Sequence, residues 1–216
     1  MNRIAQNLER LRSEIGEKAQ LLVVSKYREI SEIQMAYDAG QRHFAENRVQ
    51  ALLERAEQLP PDIHWHLIGH LQTNKAKYIA PIVHLVHSVD SLRLLETLQK
   101  EAEKCNRIVS FLAQIHVAQE NSKFGLTPEA FPDFLQAYRE GSFPNLALKG
   151  LMAMASLTEN ETQIRGEFAR VRLLFNQTQP QIGPSFDTLS MGMSSDYAIA
   201  LEEGSTVVRI GSSVFA

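Results

Sequence analysis

Eight short apolar runs recur along the whole chain, and stretches with helical spacing separate them. They fall at 21–25, 43–46, 65–69, 85–89, 108–116, 146–154, 188–192 and 206–211. Between them Leu94, Leu95, Leu98, Ala102 and Cys105 recur at three- and four-residue intervals and form one apolar stripe. Phe168, Val171, Leu174 and Phe175 form another. Short strands alternating with amphipathic helices imply a parallel sheet, because each helix carries the chain back across a sheet face. Eight such units with no Pro/Gly/Ser-rich linker predict a single α/β domain over 1–216, a closed (β/α)8 TIM barrel. An open doubly wound sheet would need a phosphate turn such as GxGxxG after the first strand, and Ser25-Lys26-Tyr27-Arg28 stands there instead.

Cap chemistry marks several helix starts: Ser31-Glu32, Ser91, and Thr127-Pro128-Glu129 with proline at the first helical position. The chain stops five residues after the eighth run, too soon for the closing helix. Residues 2–18 carry Ile4, Leu8, Leu11 and Ile15 on one face, and an extra N-terminal helix there is expected to fill the gap.

Composition narrows the function classes. The apolar fraction of 44% and charged fraction of 22% suit a globule with a sizeable core. A net charge of -3 with dispersed basic residues argues against a nucleic-acid face or a polybasic membrane patch. No apolar stretch reaches the roughly 20 residues that cross a bilayer. Residues 1–10 lack a signal peptide's apolar centre, and the sole cysteine, Cys105, has no internal partner. These features predict a cytoplasmic protein, and the mixed surface charge predicts a monomer.

Functional groups of such barrels gather at the carboxyl ends of the strands, with phosphate sites after strands seven and eight. Lys26 ends strand one, which lies beside strand eight once the barrel closes. The last two strands end in Ser190-Met191-Gly192-Met193-Ser194-Ser195 and Arg209-Ile210-Gly211-Ser212-Ser213. Glycine there lets backbone N–H groups approach an anion, and the hydroxyls can donate as well. An amine that can form a Schiff base, facing two anion-friendly turns, points to pyridoxal 5′-phosphate (PLP). Arg209 lies in an otherwise apolar strand and needs a partner: an ion pair with Glu202 or Glu203, or a contact with the cofactor.

Other residues carry less. His64, His66 and His70 invite a metal reading, but with Glu46 as the only nearby strand-end carboxylate no metal centre is expected, and the histidines read as polar residues lining the barrel mouth. Cys105 reads as a buried, inert thiol. The pairs Met152/Met154 and Met191/Met193 read as core filler. Lys123 is expected on the same rim as Lys26, where it could serve as a second amine in aldehyde exchange.

With these motifs assembled, the chain resembles the pyridoxal phosphate homeostasis protein family. The resemblance rests on Val24-Ser25-Lys26, on residues 45–50, 65–75, 87–90, 122–125 and 150–153, on 189–196 around Ser190-Met191-Gly192, and on 204–211. It implies a fold like the N-terminal domain of alanine racemases, with Lys26 as the Schiff-base lysine and Asn47 in the cofactor site. It also implies phosphate contacts from Ser190, Gly192, Gly211 and Ser212, and Arg209 close to the pyridine nitrogen. Two positions depart from the family pattern. Ala45 stands where glycine is usual, and Arg28-Glu29 replaces a proline-containing segment.

The function the resemblance implies is a carrier or buffer of PLP that maintains vitamin B6 homeostasis, with no catalytic residue and with PLP-dependent apo-enzymes as partners. Racemisation needs two proton-transfer groups on opposite faces of the substrate, and in the racemases the second comes from a separate β domain for which this chain has no residues left. A positive Arg209 at the pyridine nitrogen would also weaken the cofactor as an electron sink. The alternatives are a PLP-dependent racemase or decarboxylase, and a phosphosugar aldolase that uses Lys26 as its amine. Burial and Arg209 are expected to lower the pKa of Lys26.

Overall fold

In the computed structural model, which describes residues 2–119 and 124–216, all eight strands are parallel and close into one barrel in chain order. The strands are β1 (Gln20–Val24), β2 (His43–Glu46), β3 (His64–Leu67), β4 (Leu85–Val89), β5 (Val109–His116), β6 (Leu146–Met154), β7 (Thr188–Ser190) and β8 (Val207–Ile210). Pairing of Val23 with Ile210 closes the ring.

Alternation along each strand sorts the side chains. Val23, Phe44, Leu67, Val86, Phe111, Leu151, Leu189 and Val208 face outward and join the buried helix residues in one core. Inside the barrel, Leu22, Val24, Ala45 and Val207 form one small apolar cluster, and Leu85, Leu112 and Met152 form another. Ala45 therefore fills the interior. The rest of the interior is polar: His66, His87, Gln114, Ser190 and Arg209 are all buried.

The helical stripes dock as their spacing requires. In α5 (Leu92–Lys104), Leu94, Leu95, Leu98 and Ala102 are buried, while Cys105 sits at the helix end, half-buried, with its Sγ donating to the Ala102 carbonyl. Ser91 caps this helix by accepting from the Leu94 N–H at 3.4 Å. In α7 (Glu161–Ile182) Phe168, Val171 and Phe175 are buried, and Leu174 is partly covered.

Three local expectations shift. Glu29, not Ser31, caps α2 (Ile30–Asp38), through a capping box with Glu32. Thr127 opens a turn instead of a helix, and α6 (Phe131–Glu140) starts later, with Pro132 in its first turn. A one-turn helix (Ser212–Phe215) does follow β8. The N-terminal helix α1 (Arg3–Ile15) packs beside it, and the Asn7 amide donates to the carbonyls of Val214 at 3.0 Å and Ala216 at 3.1 Å.

Candidate functional site

The carboxyl ends of the strands surround a cavity of about 570 Å3, whose wall includes Lys26, Asn47, Arg209, Gly211 and Ser212. Lys26 stands just past β1 on a tight turn in which the Arg28 N–H donates to the Ser25 carbonyl, and Tyr27 adopts a left-handed φ of 64°. Lys26 is exposed, so the burial expected to act on its amine is absent.

The base of that turn is anchored from β2. Ser25 is buried; its N–H donates to the Ala45 carbonyl at 3.0 Å, and its hydroxyl donates to Glu46 Oε1. Arg55, on α3 (Val49–Gln58), meets the same oxygen at 2.7 Å. Glu46 is fully buried and its Oε2 has no partner among the described residues. Burial raises its pKa, while the Ser25 hydroxyl and the charges of Arg55 and Lys26 act the other way. The Arg28-Glu29 segment is held from two sides: the Arg28 guanidinium lies 5.1 Å over the Phe215 ring, and its carbonyl accepts from Arg55 at 2.9 Å.

Arg209 is buried, and among the described residues it touches no carboxylate. Its Nη1 donates to the carbonyl and hydroxyl of Ser190, and its Nη2 donates to the Ala153 carbonyl at 2.8 Å. Glu202 and Glu203 pair with Arg165 instead. Burial lowers the Arg209 pKa to about 10, with the Asp196 carboxylate pushing back up, so the side chain stays cationic at neutral pH.

Ser190 and Gly192 lie behind the wall. Ser190 is fully buried and its hydroxyl is taken by Arg209 and His87. Gly192 has a φ of 90°, and a Cβ there would come within 2.6 Å of Ala200, so glycine admits the following helix, α8 (Tyr197–Glu202). Ser194 and Ser195 stand in the cavity wall instead. The doubled serine of the β7 turn was the sequence signal for them. At Gly211 a Cβ would meet the Val24 carbonyl at 2.9 Å, which keeps the β8 turn close to β1.

Among the described residues, the side chains of Lys26, Asn47, Ser194, Ser195 and Ser212 have no hydrogen-bond partner. Free hydroxyls, a free amine and a held guanidinium on one cavity suit a ligand with an anionic end and a carbonyl carbon, which is the donor set PLP requires. A second hollow of about 550 Å3 shares Gln114, Phe124, Met154, Met193 and Ser195 with this cavity and extends it across β5 and β6. Met152 and Met191 are core residues, whereas Met154 and Met193 line the wall.

The histidines divide between the two ends of the barrel. His70 is at the cavity, stacked on Phe124 at 4.2 Å and 3.3 Å from Asp90. His64 and His66 join His43 and His84 instead, at the amino-terminal end. No metal centre was expected there, yet His43, His66 and His84 bring ligand atoms within 4.8 Å of one another. Lys123 lies outside the described residues. No helix among the described residues is long and apolar enough to cross a membrane.

The family model for the alanine racemase N-terminal domain matches residues 1–216. A pyridoxal phosphate homeostasis protein of Aquifex aeolicus is 38% identical over 99% of this chain and 96% of its own length. PipY of Synechococcus elongatus superposes with a TM-score of 0.92 without PLP, at 36% identity over 99% of this chain and 100% of that one. With PLP bound it superposes at 0.89, with 35% identity and the same coverage. Alanine racemase of Bartonella henselae is similar in fold, with a TM-score of 0.75 at 17% identity, over 97% of this chain and 57% of that one.

Proposed function

Since the chain belongs to the family of pyridoxal phosphate homeostasis proteins, we propose that it binds PLP in the cavity around Lys26 and carries or buffers it for other proteins. The observation that carries this reading is one cavity whose wall holds Lys26, a fixed Arg209 cation and serine hydroxyls, with Lys26 and those hydroxyls lacking a hydrogen-bond partner among the described residues. PLP bound to the relative PipY supports it.

Bound PLP supplies an aldehyde carbon that an amine can hold reversibly, and Lys26 Nζ is the amine in reach of solvent. Ser194, Ser195 and Ser212 supply donors for the phosphate, with Gly211 letting the backbone come close. Ser190 and Gly192 contribute from behind the wall, Ser190 by holding Arg209 and Gly192 by seating α8. Asn47 supplies a further amide, without a hydrogen-bond partner among the described residues.

Arg209 favours holding over turnover. Its guanidinium is pinned by neutral acceptors and stays charged, so a ring nitrogen facing it is disfavoured from gaining a proton of its own. That weakens the cofactor as an electron sink for carbanions. Lys26, exposed and without a hydrogen-bond partner among the described residues, is also open to incoming amines that would take the cofactor away. The same exposure supports hand-over to apo-enzymes.

The test is borohydride reduction of the purified protein loaded with PLP, followed by peptide mass mapping. The expected result is one adduct, on Lys26, absent in Lys26→Ala. An adduct elsewhere, or none, overturns the binding site. Multiple turnovers of any amino acid, read by chiral chromatography, overturn the carrier role.

A further inference from the structure

Opposite the cofactor cavity, the geometry points to a binding site for a transition-metal ion at the amino-terminal end of the barrel, with imidazole ligands from His43, His66 and His84. Strand register builds it. His43 opens β2 and pairs with His64 at the start of β3, and His66 lies two residues deeper on the same inner face. The His84 N–H donates to the Trp65 carbonyl at 2.8 Å, which brings the residue before β4 alongside.

Among the described residues no carboxylate forms an ion pair with these rings. Burial lowers the pKa of His43 to about 4 and that of His66 far down, and partial burial of the more exposed His84 ring lowers its pKa too; neighbouring imidazoles add to each shift, and the Arg107 cation adds to that of His84. Imidazole ligates in its neutral form, the form that burial favours for each of these rings. Imidazole donors suit Zn2+, Cu2+ or Ni2+, not Mg2+ or Ca2+.

The spacing suits a small ion. Zn–N bonds of about 2.0–2.1 Å in a tetrahedron set ligand nitrogens about 3.3 Å apart. His43 Nδ1 and His66 Nε2 are already 3.0 Å apart, and the exposed His84 ring has room to close in. His64 stacks on His43 at 4.6 Å and lies tilted against His84 at 4.5 Å, which supports two of the three ligand rings and leaves the fourth position to a water.

An outer shell is present too. His66 Nδ1 lies 2.9 Å from His87 Nε2, and His87 Nδ1 lies 3.1 Å from the Ser190 hydroxyl. Ligation through His66 Nε2 keeps the His66 proton on Nδ1, where it donates to His87. His87 then carries its own proton on Nδ1 and donates to Ser190, which also accepts from Arg209. An ion at one end of the barrel thus sets the tautomers of a file that ends against the cofactor cavity.

The test uses the untagged full chain, titrated with Zn2+ against a chromophoric chelator. One ion per chain is expected. His84→Ala and His43→Ala abolish competitive binding, while His70→Ala, at the opposite end, retains it. His87→Asn weakens affinity by about 10–100-fold, the usual effect of losing an outer-shell partner. Long-range 15N–1H spectra of the Zn2+ form show His66 and His87 protonated on Nδ1. Failure to bind Zn2+, Cu2+ and Ni2+ overturns the site, and so does undiminished Zn2+ binding by His84→Ala, whose exposed position makes the variant safe for folding. Neither outcome bears on PLP binding.

Discussion

Nη1 of Arg209 lies 2.6 Å from the hydroxyl and 2.7 Å from the carbonyl of Ser190, so one residue of β7 holds the cation of β8 at the cavity. The guanidinium gets its orientation from neutral acceptors on β6 and β7, and its charge is left for whatever enters the cavity. Ser190 thereby shapes the site without facing into it.

Replacing Arg209 with leucine strands the buried Ser190 and Ala153 carbonyls, each at a cost of about 1–3 kcal/mol. The urea midpoint of Arg209→Leu should fall accordingly, and its PLP affinity should fall with it. Arg209→Lys keeps the charge but loses the fork, so it should recover part of the affinity and less of the stability. A wild-type midpoint for Arg209→Leu would contradict the three-acceptor account.

The Glu46–Arg55 pair is largely out of water and anchors Ser25, next to the proposed cofactor lysine. Arg55→Ala leaves the Glu46 carboxylate buried with only the Ser25 hydroxyl, and should destabilise the fold by about 3–5 kcal/mol. Combining Glu46→Leu with Arg55→Met removes both charges and should recover most of that loss. Denaturant titrations check both, and a loss under about 1 kcal/mol for Arg55→Ala would count against the pair's burial as a constraint.

Burial holds His66 and His87 neutral, with their pKa values well below 6.5. Below that value the unfolded chain takes up protons that the folded chain refuses, so stability is full above it and falls as the pH drops. Each ring adds a slope of about 1.4 kcal/mol per pH unit in that window. Glu46 and Asp196, raised by burial, act in the opposite sense. His87→Asn should therefore flatten the decline between pH 6.5 and 5.5 by about one such slope, measured by urea unfolding at each pH. An unchanged slope would mean that His87 titrates alike in both states.

A Cβ on Gly69 would sit 2.1 Å from the Asn47 carbonyl, closer than any contact allows. Gly69→Ala should push the β2–α3 turn out of place and weaken PLP binding, while borohydride at saturating cofactor still labels Lys26. Wild-type affinity in this variant would show that the turn can move without consequence for the cavity.

Much of the architecture was legible in the chain. The apolar runs at 43–46, 85–89 and 146–154 are strands with those same bounds. Helix starts near Ser31 and Thr127 are less legible, because capping depends on which residue the backbone leaves extended, and neighbouring polar residues compete for that role. The serines of the β7 turn show the same limit: Ser190 looked like a phosphate donor, yet it points inward while Ser194 and Ser195 reach the wall.

Local periodicity decided the number, order and parallel sense of the strands, and with them that Lys26 and the β8 turn would emerge on one rim, since consecutive βα units permit little else. What a buried polar side chain touches depends on register between strands distant in the chain, and no local pattern encodes that. Arg209 choosing Ser190 and Ala153 over Glu202 and Glu203, and His43 and His84 converging on His66, were decided only when the barrel closed.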